Sequence, residues 1–309
     1  MPPGRIYVML KEYLTGTVSH AISPYERMDD SMTVLKAAVL GIVQGLAEFL
    51  PISSSGHLEL CQHLFGMSDN AASMMLLTVL LHVGTLVAVA VVFWKDWMDI
   101  LKNLFRSKTL GLLFIASLPA LFAAVLLGDA LDALFGSGFL GLAFLITCLF
   151  LLLTEFASKK MKQRTELKDE VGLKHAIMMG IMQAVAIIPG VSRSGSTLLG
   201  GIVSGVKREK AAKFSFMMSA PAILGSLLVD GKDLLENGGM QLLTENLVPV
   251  IVGVVLAAVS GYLAIRYMLK LINRISFNWF ALYVGILGIT VVVLQLSGVS
   301  FLPAFPFFG

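Results

Sequence analysis

Glu48, His57 and Arg193 are ionisable residues set in otherwise apolar stretches, and small hydroxyl residues crowd around them. Ser53, Ser54, Ser55 and Gly56 precede His57, while Ser192, Ser194, Gly195, Ser196 and Thr197 surround Arg193. Charged side chains at membrane depth are costly and tend to pair with one another or face a wet cavity. The run Pro189-Gly-Val-Ser-Arg-Ser-Gly supplies what a phosphate needs: hydroxyl donors, backbone N–H groups at a helix start, and a guanidinium that holds two oxygens at once. Lysine, a point charge, does not reproduce that fork. Glu48 and His57 add a base and a nucleophile or acid, which tilts a phosphate clamp toward hydrolysis. Gln44 lies one helical turn before Glu48, so both project from one face. The plainer readings are an ion pair that only joins two helices, and hydroxyls that satisfy a broken backbone. The second suits Ser55 and Ser196 but leaves the arginine unexplained.

These residues must be positioned by two related segments. GIVQGLAEFLPISSSGH (41–57) returns 139 positions later as GIMQAVAIIPGVSRSGS (180–196), with seven identities and no gap. The chain is therefore a duplication. Each copy carries proline, glycine and serine inside an apolar region, which is where membrane proteins break helices to build polar sites.

A hydrophobic content of 57%, only 14% charged residues and a mean hydropathy of +0.84 describe a polytopic membrane protein, with the lipid bilayer as its surroundings. The net charge of +3 does not imply nucleic acid, because Lys and Arg sit in short loops and form no continuous basic face. Cys61 and Cys148 have neither a disulfide framework nor metal-ligand spacing. Residues 1–31 lack the apolar core of a secretory signal and read as an N-terminal extension. It is open whether they form a surface helix, an added segment or the product of an early start codon.

Counted against the roughly 20 apolar residues that cross a bilayer, spans fall at 74–94, 110–127, 138–154, 214–229, 247–267 and 279–296. The motif segments 34–61 and 173–206 read as re-entrant hairpins. The expected fold is an all-α polytopic membrane protein: one domain (32–309) of two repeats, about 34–155 and 173–297, with six transmembrane helices and two hairpins. Three crossings per repeat make the repeats inverted. Lys95, Lys102, Arg106 and Lys108, six basic residues between 159 and 174, four between 207 and 213, and Arg266, Lys270 and Arg274 all fall on one side. The opposite loops hold Lys232 as their only basic residue, so they face out of the cytoplasm and both termini lie outside. The hairpins then enter from opposite faces and their tips meet near the midplane.

Gln44-Gly-Leu-Ala-Glu48-Phe-Leu-Pro-Ile-Ser-Ser-Ser-Gly-His57, followed by Pro189-Gly-Val-Ser-Arg-Ser-Gly-Ser-Thr197, resembles the undecaprenyl-diphosphate phosphatase family, also called the bacitracin-resistance protein family. The likeness runs from about residue 32 to the C-terminus. It implies removal of the terminal phosphate of undecaprenyl diphosphate at the outer face of the bacterial cytoplasmic membrane. That reaction returns the lipid carrier for peptidoglycan synthesis, and hence for cell-wall biogenesis and cell shape. It also implies a divalent cation, Mg²⁺ or Ca²⁺. The family's first motif carries Glu or Gln, three residues, then Glu; the Gln form here leaves Glu48 as the only carboxylate of that motif, so a two-carboxylate metal site is not expected from it.

The resemblance maps function onto Glu48, Ser54, His57, Ser192, Arg193, Ser194 and Thr197, and Gln44, Ser53 and Ser55 are expected to join in binding the diphosphate. Arg193 and the hydroxyls of Ser192, Ser194 and Thr197 are expected to bind the diphosphate and steady the transition state. His57 is the first choice as nucleophile, with Glu48 orienting it or handling protons; Ser54 and a water activated by Glu48 are the rivals. Glu48 plus diphosphate oxygens would hold the cation. His82 is read as a histidine bonded to a neighbouring helix rather than a cavity residue, and Glu59 as sitting at the outer mouth. The rival function is a lipid-phosphate or anion translocase using the same midplane site. A homodimer is compatible with either.

Overall fold

A computed structural model describes residues 32–67, 71–104, 106–135, 137–164, 167–236, 239–299 and 302. The expectations for the extension 1–31 and for the position of the two termini lie outside the described residues. Among those described, every regular element is helical, apart from a single β-bridge between Lys168 and Val206.

Two short helix pairs carry the repeated motif. Helix α1 (Val34–Phe49) starts at Thr33, whose hydroxyl accepts the Lys36 N–H at 3.2 Å. It stops ahead of Pro51, because proline lacks the N–H a helix needs and biases its predecessor toward extended backbone; Leu50 is extended, with ψ 140°. Ser53 then caps α2 (Ser54–Leu64) by accepting the Gly56 N–H at 3.2 Å. In the second copy α7 (Leu173–Val185) breaks into a turn around Pro189 and Gly190, and Ser192 caps α8 (Arg193–Val203) by accepting the Gly195 N–H at 3.1 Å. Gly190 has φ +80°, a left-handed conformation that glycine adopts without a Cβ clash.

Six helices are long and apolar enough to cross a membrane: α3 (Ala71–Val92), α5 (Lys108–Phe135), α6 (Leu140–Arg164), α9 (Arg208–Glu236), α11 (Leu247–Leu271) and α12 (Phe277–Leu296). They coincide with the six spans expected from hydropathy. In α5 only 17% of the most apolar window is buried within the protein, against 50% in α9, so α5 presents its apolar surface to lipid while α9 runs through the interior. Short helices α4 (Trp94–Lys102) and α10 (Gly239–Glu245) connect α3 to α5 and α9 to α11. The segment after residue 94, expected as a basic loop, is thus partly helical.

Packing is reciprocal between the two copies. Helix α1 lies along α11, and α7 lies along α5. At each contact a glycine permits backbone to touch backbone: a Cβ at Gly41 would strike the Gly253 carbonyl, and one at Gly180 would strike the Ala116 carbonyl. Helix α6 pairs with α12, and α3 with α9. Phe49, Phe144, Phe216, Leu198 and Met218 are fully buried where the motif helices meet these spans, with the Phe49 and Phe216 rings edge to face at 5.6 Å.

Helices α6 and α9 extend past their expected ends at 154 and 214 into charged sequence. Hydropathy registers hydrocarbon thickness, not helix length. The charges in these extensions are satisfied by the protein itself. The Arg208 guanidinium donates to Glu155 Oε2 at 2.7 Å, Ser158 Oγ at 2.6 Å and the Ile275 carbonyl at 3.1 Å, and lies over the Phe277 ring.

Candidate active site

The tips of the two motif pairs meet. The Ser194 hydroxyl donates to the Leu50 carbonyl at 3.1 Å, and Arg193 Nη2 reaches across to Glu48 Oε1 at 2.5 Å. Glu48 is the hub. Its Oε2 accepts the Ser54 hydroxyl at 2.6 Å and the Gln44 amide at 3.1 Å, with His82 Nε2 at 3.8 Å. Gln44 follows from the helical turn separating it from Glu48, and Ser54 from the abrupt reversal at 50–53. Arg193 is held from behind by donating to the Ser215 carbonyl on α9 at 3.1 Å.

Glu48, Ser54, His82 and Arg193 face a cavity of about 360 Å³, whereas Gln44, expected to bind the diphosphate, is fully buried behind Glu48 and does not line it. Glu48, Ser54, Ser55, His82 and Arg193 form its polar side; the second tip (Ile187, Ile188, Pro189) and Ala222 and Ile223 of α9 form its apolar side. One carboxylate, one guanidinium, one imidazole and three hydroxyls, Ser226 being the third, beside an apolar wall suit a substrate with a phosphate at one end and hydrocarbon at the other.

Not every expected residue joins this cavity. Ser192, Ser194 and Thr197, expected to bind phosphate, are buried with their hydroxyls turned into the protein. Ser192 caps α8 while its own N–H bonds Thr147 Oγ1 at 3.0 Å, Ser194 bonds Leu50, and Thr197 donates to the Arg193 carbonyl at 2.9 Å and lies 2.6 Å from Ser215 Oγ. They fasten the tip that presents Arg193. Ser53 is likewise a cap. His57, the expected nucleophile, is not in the lining of this cavity and is buried against Phe144 and Tyr283, with Nδ1 2.7 Å from the Ser53 carbonyl and Nε2 2.8 Å from the Tyr283 hydroxyl. Its ring nitrogens are engaged outside the cavity wall. Conversely His82, read as a packing histidine, lines the cavity: its Nδ1 is tied to the Thr78 carbonyl of its own helix at 2.8 Å, which aims Nε2 at Glu48.

No group of three or more His, Cys, Asp or Glu side chains gathers in metal-binding geometry among the described residues. Glu48 is the one carboxylate in the wall, with Ser54 and Ser55 as neighbouring oxygen donors. That donor set fits a hard cation only if the substrate completes its coordination.

The sequence profile of the family described as Bacitracin resistance protein BacA matches residues 37–290. The chain belongs to this family. It is 40% identical over 270 residues to an undecaprenyl-diphosphatase of Carboxydothermus hydrogenoformans, a match covering 86% of this chain and 99% of the relative. Undecaprenyl-diphosphatase 4 of Bacillus thuringiensis is 38% identical (87% of this chain, 100% of the relative), and the undecaprenyl-diphosphatase of Bacteroides fragilis is 36% identical (86% and 100%). In this member of the BacA family both seventeen-residue motif copies, 41–57 and 180–196, fall inside the matched region, and so does His82.

Three residues that shape the site had little signal in the sequence. His82 lies in a plain apolar span, Ser215 acts through its backbone carbonyl, and Tyr283 lies 226 positions from the histidine it contacts. A polar residue within a membrane span was the only cue available, and of the three His82 alone is ionisable near neutral pH.

Proposed function

We propose that the protein is an undecaprenyl-diphosphate phosphatase, releasing inorganic phosphate and leaving undecaprenyl phosphate in the membrane. The observation that carries this reading is the Ser54–Glu48–Arg193 constellation at the meeting of the two tips, in a cavity with an apolar side. A phosphate at the cavity meets a guanidinium with five N–H donors, two of them used in the bonds to Glu48 and Ser215, so three remain for phosphate oxygens.

Geometry favours Ser54 over His57 as nucleophile. The Ser54 hydroxyl is already donated to a carboxylate at 2.6 Å and borders the cavity; His57 does neither. In the first step Ser54 Oγ bonds to the terminal phosphorus, its proton passes to Glu48 Oε2, and the bridging P–O bond breaks to leave undecaprenyl phosphate, a leaving group that needs no proton. In the second, water attacks the phosphoserine, Glu48 returns the proton to Ser54 Oγ, and both protons of the water leave with the phosphate. Arg193 neutralises charge on the transferred group throughout. A divalent cation held between Glu48 and the diphosphate oxygens would supply further charge neutralisation.

The distribution of basic residues supports a site open to the outer face of the bacterial cytoplasmic membrane. The reciprocal packing of α1 on α11 and α7 on α5 supports one membrane domain of two inverted repeats with re-entrant motif hairpins. Acid quench during turnover of substrate labelled in its terminal phosphate tests the chemistry. The expected result is an acid-stable phosphoserine, absent from Ser54→Ala. An acid-labile label would assign the role to His57, and turnover with no label would assign it to water.

A further inference from the structure

His57 is not in the lining of the cavity that Glu48 and Ser54 share, yet it contacts the turn that aims Ser54. Ser53 is the one non-glycine residue with positive φ among those described (φ 75°, ψ 97°). Such a backbone persists only where surrounding structure holds it. The residue after it is the one whose hydroxyl points at Glu48. The Ser53 carbonyl can only accept, so His57 Nδ1 carries the proton at that 2.7 Å contact; in the neutral ring Nε2 must then accept, and the Tyr283 hydroxyl donates to it at 2.8 Å. Tyr283 also stacks on the imidazole, with centroids 5.6 Å apart and planes 21° from parallel, while Phe144 packs edge-on against it at 5.2 Å. The ring is therefore fixed in tautomer by the Ser53 carbonyl and in orientation by α12 and α6.

We infer that Tyr283 and His57 are positioning residues for the phosphatase reaction: Tyr283 on α12 anchors the His57 ring at Nε2, and His57 Nδ1–H holds the strained Ser53 carbonyl so that Ser54 meets Glu48. The inference rests on the phosphatase reading and deepens it. It separates two roles a histidine could play here. A nucleophile needs a free Nε2, whereas a positioning histidine needs only a donor where Nδ1 stands. Asparagine places its amide nitrogen near the Nδ1 position; glutamine places it near Nε2.

The test is phosphate release from a C55 prenyl diphosphate by the purified full-length protein in detergent, with kcat and KM measured separately. Tyr283→Phe, which keeps the ring and removes the hydroxyl, should lower kcat about tenfold at unchanged KM. His57→Asn should stay within about tenfold of wild type, while His57→Gln and His57→Ala fall about a hundredfold or more. Adding Tyr283→Phe to His57→Asn should change kcat less than about twofold, because the imidazole it acts through is gone. Circular dichroism and elution of each variant as wild type keep misfolding apart from loss of function. His57→Asn as inactive as His57→Ala, or Tyr283→Phe indistinguishable from wild type, would overturn the inference while leaving the phosphatase reading intact. Absence of phosphate release from wild type would overturn the phosphatase reading and the inference with it.

Discussion

The two motif pairs began as one seventeen-residue sequence and now do opposite things. Aligned without a gap, Glu48 of the first tip corresponds to Ile187 of the second, and Ser54 corresponds to Arg193. Gln44 and Gln183 are equivalent, and so are the caps Ser53 and Ser192. The shared positions build the same helix–turn–helix twice, whereas the differing positions face one cavity from two sides. The first tip supplies a carboxylate and a hydroxyl; the second supplies a guanidinium and an apolar wall. Duplication thus gave the frame, and divergence at a few cavity positions gave two halves that are complementary only together.

Undoing that divergence should have the largest effect. Arg193→Ser makes the second tip read like the first at its serine run, and is expected to lower phosphate release about a thousandfold, since a preorganised charge on the transferred group is lost. Ile187→Glu restores the carboxylate spacing of the first copy. It would set a second negative charge against Glu48 and the diphosphate, and is expected to cost about a hundredfold in kcat/KM, most of it in KM.

A change outside the tips should leave chemistry alone and act on stability. Glu155→Ala removes the carboxylate that both Arg208 and the Phe277 N–H use. Arg208 keeps its bonds to Ser158 and the Ile275 carbonyl, so the cost is about 2 kcal/mol, seen as a lower melting temperature with kcat preserved. The smallest effect belongs to the exposed Lys207–Asp169 pair, 2.7 Å apart. The hydrogen bond from Lys207 holds the Asp169 carboxyl below the usual carboxylate range. A depressed folded value contributes above the unfolded pKa and is lost as pH falls through the folded one. Solvent screens the pair, so Lys207→Ala should leave the melting temperature at neutral pH unchanged within error.

The six spans were legible because lipid imposes a length and a composition on every crossing. The break before Ser53 and Ser192 was legible from Pro51 and Pro189, and the site's core from buried charge amid serines. Which way a hydroxyl turns was not legible. Ser192 and Ser54 both sit in serine-rich tips, but one caps a helix and the other meets a carboxylate, a distinction made by the turn and by Thr147 of α6. The placement of His57 and His82 was inverted for the same reason. Each histidine's role depends on a partner distant in sequence, Tyr283 for His57 and Glu48 for His82.

The most direct test of a composite site is a double-mutant cycle on phosphate release from a C55 prenyl diphosphate, comparing wild type, Glu48→Gln, Arg193→Ala and the double variant in the same detergent. If the two tips act as one unit, each single change abolishes nearly as much activity as both together. Either single variant retaining wild-type release, or the two losses simply multiplying in the double variant, would contradict the account.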